Sequence, residues 1–108
     1  PVALCFQTPY IARIAIQICQ AKGLHVPHDV SILTHQNVRL VVEVPPQISS
    51  IDDNYDRVGY EAAAMLDRLM AGDPESKVIY VPPRGIHARE STDSRRNSGI
   101  LSGFRWIP

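Results

Sequence analysis

The stretch KGLHVPHDVSIL at residues 22–33, with PPQISSIDDNYDRVGYEAAAMLDRLMAG at residues 45–72, decides how this chain folds. In the first piece, Gly23 supplies a left-handed stop for a helix and Pro27 prevents its resumption. The apolar run 30–33 then predicts a buried strand. In the second, Pro45 and Pro46 make a corner unsuited to a central strand. A short strand over 48–51 follows, and then a helix with polar candidates for its cap at 52–54.

Working outward, residues 2–6 read as another short buried strand. Thr8 and Pro9 fit the cap and first position of a helix. In that helix Ile11, Ile14, Ala15, Ile18 and Cys19 recur at three- and four-residue spacing and predict its buried stripe. The result is a β-α-β unit, whose usual solution is a parallel pair. In the later helix Val58, Ala62, Met65, Leu66 and Leu69 predict the buried stripe, with Asp56, Arg57, Glu61 and Arg68 facing water. Residues 35–47 look irregular, apart from a VVEV patch that could pair briefly as a strand. Further strands are expected at 77–81 and 86–89. From Asp93 the pattern dissolves, and 93–108 reads as a flexible tail.

Length and composition exclude several functions. The 108 residues suit one domain or half of a larger one, and an apolar fraction of 44% supports a core. Acidic and basic residues balance at 11 each, which gives no electrostatic footprint for nucleic acid. No apolar run approaches the roughly 18–20 residues of a membrane span. The opening PVALCF has no signal-peptide pattern, and without an initiator Met it suggests a truncated or processed chain. Cys5 and Cys19 sit in apolar contexts and are expected as reduced core thiols, pointing to a cytoplasmic setting. His25 and His28 lie in a Pro-containing turn with no carboxylate–His cluster beside them, so no metal is expected. No cofactor motif, nucleophile elbow or glycine-rich phosphate loop is present, and no enzymatic activity is expected.

The order and spacing of GLHVPHDVSI (23–32), PPQISSI (45–51), GYEAA (59–63) and RESTD (89–93) resemble the effector-sensing domain of lactose/galactose-repressor (LacI/GalR-type) regulators. VGYEAAAMLDRLMAG and IHARESTD are most similar to xylose-operon regulators, which carry an arabinose-regulator-type helix-turn-helix. The resemblance implies an α/β fold, part of a type I periplasmic-binding-protein-like architecture with a parallel sheet flanked by helices. It places residues 1–92 as an incomplete C-terminal lobe.

It also implies a sugar effector, possibly xylose, bound at the C-terminal ends of the strands. Operator DNA would be read only by a domain outside this chain, and the protein would act as a homodimer with apolar surface left exposed. Relatives place an Asn-Asp-type pair after the first strand and an Asp after the second. Here Gln7-Thr8-Pro9 and Thr34-His35-Gln36-Asn37 stand instead, so both expected carboxylates are missing. The ligand candidates are Gln7, Thr8, Gln36, Asn37 and Arg89, with Thr8 as readily a cap and Arg89 as readily a structural ion partner. A periplasmic sugar-binding lobe and a degenerate, non-binding fragment remain alternatives. As physical roles, Gly59 would allow close helix–strand packing, and Asp29 would bond within its own turn.

Overall fold

In the computed structural model, which describes residues 2–73 and 77–93, a four-stranded sheet runs in the order β1-β2-β3-β4. β1 (Val2–Phe6) pairs in parallel with β2 (Val30–Thr34), in register from Val2–Val30 to Phe6–Thr34. β2 pairs in parallel with β3 (Ser49–Asp52). β4 (Gly85–His87) closes the sheet antiparallel to β3 and gives an otherwise parallel sheet one reversed edge. The helices are α1 (Pro9–Ala21), α2 (Arg39–Val42) and α3 (Tyr55–Met70), and a 3₁₀ turn covers Glu90–Thr92.

The core lies where α1 and α2 meet β2 and β3. Ala12, Ile16 and Cys19 of α1 are buried with Val30 and Ile32 of β2, Val42 of α2 and Ile48, while Phe6, Ala15 and Val26 pack around them. The inward row of α1 is therefore Ala12, Ile16 and Cys19; of the expected stripe Cys19 is buried and Ala15 packs against the core, while the three isoleucines face out. Ile11, Ile14 and Ile18 each remain more than half exposed. Both rows have helical spacing, and the smaller Ala12 and Cys19 let the helix approach the sheet. Thr8 occupies the N-cap position of α1 with extended backbone, but its side chain makes no capping hydrogen bond. Gly23 has φ +73° and ends the helix, and the Lys22 and Leu24 amides donate to carbonyls of its last turn.

The Val-rich patch forms α2 instead of a strand, which lets Val42 point fully into the core. Arg13 holds this corner together. Its Nη2 donates to Val41 O and Val44 O, each at 2.7 Å, and its Nη1 to Pro46 O at 3.0 Å and Pro45 O at 3.4 Å. One guanidinium thus serves four carbonyls left over from a short helix and a Pro-Pro corner, which have no ladder of their own. Asp29 bonds within its own turn, accepting from the His25 amide at 2.8 Å.

A second tie is polar and buried. Ser91 Oγ donates to Ile32 O and accepts from the Ser49 amide at 2.8 Å. Ser49 Oγ meets Thr92 Oγ1 at 2.7 Å and accepts from the Arg89 amide at 2.8 Å. Ser49, Ser50 and Ser91 are fully buried, and among the described residues every buried side-chain N or O atom has a partner. The Ser-Ser and Arg-x-Ser-Thr motifs are therefore complementary halves of one junction.

Elsewhere the expected burial is absent. β1 is an edge strand with neither face well covered, so Val2, Leu4 and Cys5 are exposed. No residue of α3 is buried, and Val58, Leu66 and Leu69 are open to solvent. Residues 77–81 form no strand but run alongside α3, where Ile79 and Val81 line a 270 Å³ apolar groove with Val58, Ala62 and Met65. Gly59 is exposed with open space where a Cβ would stand, so no strand packs closely there. Among the described residues no second layer covers α3, and the stripe its sequence carries stays unburied. The expected tail from 94 onward lies outside the described residues.

Candidate functional site

The C-terminal ends of the three parallel strands converge on an open pocket of about 540 Å³, lined by Cys5, Phe6, Gln7, His35, Gln36, Asp53 and Tyr55. Thr34, fully buried, precedes the lining residue His35: its Oγ1 lies 3.1 Å from Phe6 O and 2.8 Å from His35 O, and the His35 amide donates to Phe6 O at 2.9 Å. These bonds lock the ends of β1 and β2 together, so the following residues are presented side by side.

Gln36 adopts φ +63°, a left-handed conformation that disfavours a side chain with a Cβ. Asp53 holds it there. The Gln36 amide donates to Asp53 Oδ2 at 3.1 Å, and His35 Nδ1 lies 3.4 Å from Asp53 Oδ1. The sequence suggests only helix caps at 52–54, and Asp53 is a pocket residue it does not single out. Asn54 does occupy the N-cap position of α3, with left-handed backbone and no side-chain cap bond. Asp53, just before it, lines the pocket. The signal available in sequence was an unexplained third polar residue, which capping alone does not require.

The five candidates separate into two groups. Gln7 and Gln36 line the pocket. Thr8 is half-buried at the start of α1, outside the lining. Asn37 and Arg89 are bonded to each other: Arg89 Nη2 donates to Asn37 Oδ1 at 2.7 Å, while its Nη1 donates to Ile48 O and Ser50 Oγ, each at 2.8 Å. Ser50 Oγ also donates to Asn37 Oδ1 at 2.9 Å. Burial pushes the Arg89 pKa down, offset by the charge of Glu43 and reinforced by Arg39.

Next to Asp53 in the chain and outside the lining, Asp52 accepts the Asn54 amide at 3.0 Å and faces Arg84. Its carboxyl is held below the ordinary range, first by that amide and then by the guanidinium. Among the described residues, no three His, Cys, Asp or Glu side chains gather as a metal site, and no helix is long and apolar enough to cross a membrane.

Residues 1–92 match the model of the periplasmic binding protein-like domain. The chain belongs to this family. Within it, a xylose operon regulatory protein of Haemophilus influenzae is 31% identical over 86 residues, covering 78% of this chain and 22% of that protein. An HTH-type transcriptional repressor PurR of Serratia proteamaculans is 34% identical over 94 residues, covering 86% and 28%. A solved structure of a transcriptional regulator LacI from Bacillus cereus subsp. cytotoxis superposes with a TM-score of 0.73 at 29% identity. It covers 84% of this chain and 32% of that one. The expected fold and LacI-type kinship therefore hold, and these relatives are named as transcription regulators and not as enzymes. The chain spans about a quarter of the length of the curated relatives it matches.

Proposed function

We propose that this chain is part of the effector-sensing domain of a cytoplasmic bacterial transcription regulator, a sensor with no catalytic role, and that its pocket contacts a small polyol such as a pentose. The observation that carries this reading is the pocket at the C-terminal ends of β1, β2 and β3, where ligands of open α/β sheets bind. Likeness to a xylose operon regulatory protein favours a pentose over other polyols. The amides of Gln7 and Gln36 can each donate to and accept from hydroxyls, and Asp53 supplies the carboxylate absent from the loops after β1 and β2. Asn37 and Arg89 hold the loop beneath.

Much of residues 1–92 forms a C-terminal lobe, and a second lobe of the full protein closes over the pocket. Sugar then shifts the angle between lobes, and a DNA-reading domain outside this chain responds. The exposed Ile11, Ile14 and Ile18 row is the surface for homodimer formation.

A chemical-shift titration of the 108-residue chain with D-xylose tests the reading. With only one wall of the site present, dissociation constants on the order of 1 mM or weaker are expected, with shifts at Gln7, Gln36 and Asp53. Micromolar binding would overturn the half-site, and absence of shifts at about 50 mM would overturn the sugar pocket.

A further inference from the structure

α3 lies in the connection between the end of β3 and the start of β4. Across these two ends the Arg84 amide donates to Asp52 O at 2.8 Å, and Asn54 Nδ2 donates to Pro82 O at 3.2 Å. The Arg84 side chain adds a bridge. Its Nε lies 3.2 Å from both oxygens of Asp52 at the end of β3, and its Nη2 donates to Asp56 Oδ2 in the first turn of α3 at 3.1 Å. His87 Nε2 stands 3.4 Å from the same Asp52 carboxylate. The Asp56 side chain is 86% exposed. No residue of α3 is buried, although Val58, Ala62 and Met65 share a groove with Ile79 and Val81.

Asp53 and Tyr55, between the two bridged carboxylates, are pocket-lining residues. We propose that Arg84 is a positioning residue. By joining Asp52 to Asp56, it fixes the angle at which α3 departs from the sheet and thereby the placement of Asp53 and Tyr55 on the pocket wall. The significance of that wall rests on the pocket reading above; the angle does not. Two carboxylates flank one planar donor fork, a geometry that a lysine's point charge reproduces only toward one partner at a time.

Residual dipolar couplings of the 108-residue chain test this without any ligand. In the unsubstituted chain, α3 and the β1–α1–β2 unit share one alignment tensor. In Arg84→Ala, the couplings of α3 fall about twofold while those of β2 and α1 are unchanged, and the Asp53 and Tyr55 amides shift. Arg84→Lys restores part of the loss, and Asp56→Ala gives a smaller loss of the same sign. Unchanged α3 couplings in Arg84→Ala would overturn the proposal. If that variant does not fold, unchanged couplings in Asp56→Ala, which alters one exposed carboxylate, overturn it equally. Failure of D-xylose to shift the pocket amides sinks the sugar reading alone.

Discussion

Replacing Arg89 by alanine distinguishes a ligand contact from a structural tie. Three acceptors lose a donor: Ile48 O and Ser50 Oγ at 2.8 Å, and Asn37 Oδ1 at 2.7 Å. Two of them keep a partner, because Ser50 Oγ still donates to Asn37 Oδ1. Ile48, fully buried, loses its charged donor outright. A hydrogen bond to a charged group contributes roughly 1.5–3 kcal/mol. The desolvation that lowers the Arg89 pKa offsets part of it, while loss of the alkyl stem of this half-buried side chain adds to the cost. The net is about 2–3 kcal/mol. At about 4–8 °C per kcal/mol for a domain of this size, the thermal midpoint falls by about 10–20 °C. Circular dichroism melts of the 108-residue chain read it directly, and Arg89→Lys recovers less than half of the loss. A midpoint within about 2 °C of the parent would refute the tie. Loss of sugar-induced shifts at an unchanged midpoint would restore Arg89 as a ligand contact.

Arg13→Leu leaves the carbonyls of Val41, Val44, Pro45 and Pro46 without their shared donor. With two of the four bonds exposed, a loss of about 2 kcal/mol in urea unfolding is expected. The Asp52 carboxyl titrates lower in the folded chain than in the unfolded one. Its stabilisation is therefore complete at neutral pH and disappears as pH falls from about 4 through the depressed folded value. Acid titration of Asp52→Asn by circular dichroism should show a shallower loss of structure over that range. Of the two thiols, exposed Cys5 should react with an aromatic disulfide reagent in the folded chain at once, and buried Cys19 only on unfolding; two fast thiols would contradict the packing of α1.

The legible parts of the fold were those where local chemistry has one solution. Gly23 needed a positive φ, Pro27 forbade continued helix, and the 30–33 run had to be buried. All three positions behave as read. The inward face of α1 was not legible, because two apolar rows share helical spacing and only a neighbouring sheet decides which approaches it. The α3 stripe was read correctly as apolar and incorrectly as buried, since burial depends on a partner layer that local sequence does not describe. In the pocket, Gln7 and Gln36 lie on the two loops to which the family resemblance points. Asp53 was not legible, because its bond to the Gln36 amide joins residues 17 apart in the sequence. Arg89 and Asn37 were visible as polar residues near strand ends, and only three-dimensional contact shows them bonded to each other.

β1 has a further consequence for handling the protein. Its one ladder partner is β2, so the backbone donors and acceptors along its outer side meet no other strand among the described residues. Val2, Leu4 and Cys5 stand beside that open side. A bare strand edge of this kind is a template for another chain's backbone, and it has no lysine, proline or bulge within Val2–Phe6 to discourage pairing. This margin therefore adds a backbone route to self-association beside the exposed apolar rows of α1 and α3. A single Ala3→Lys substitution on it is the most economical route to a soluble preparation.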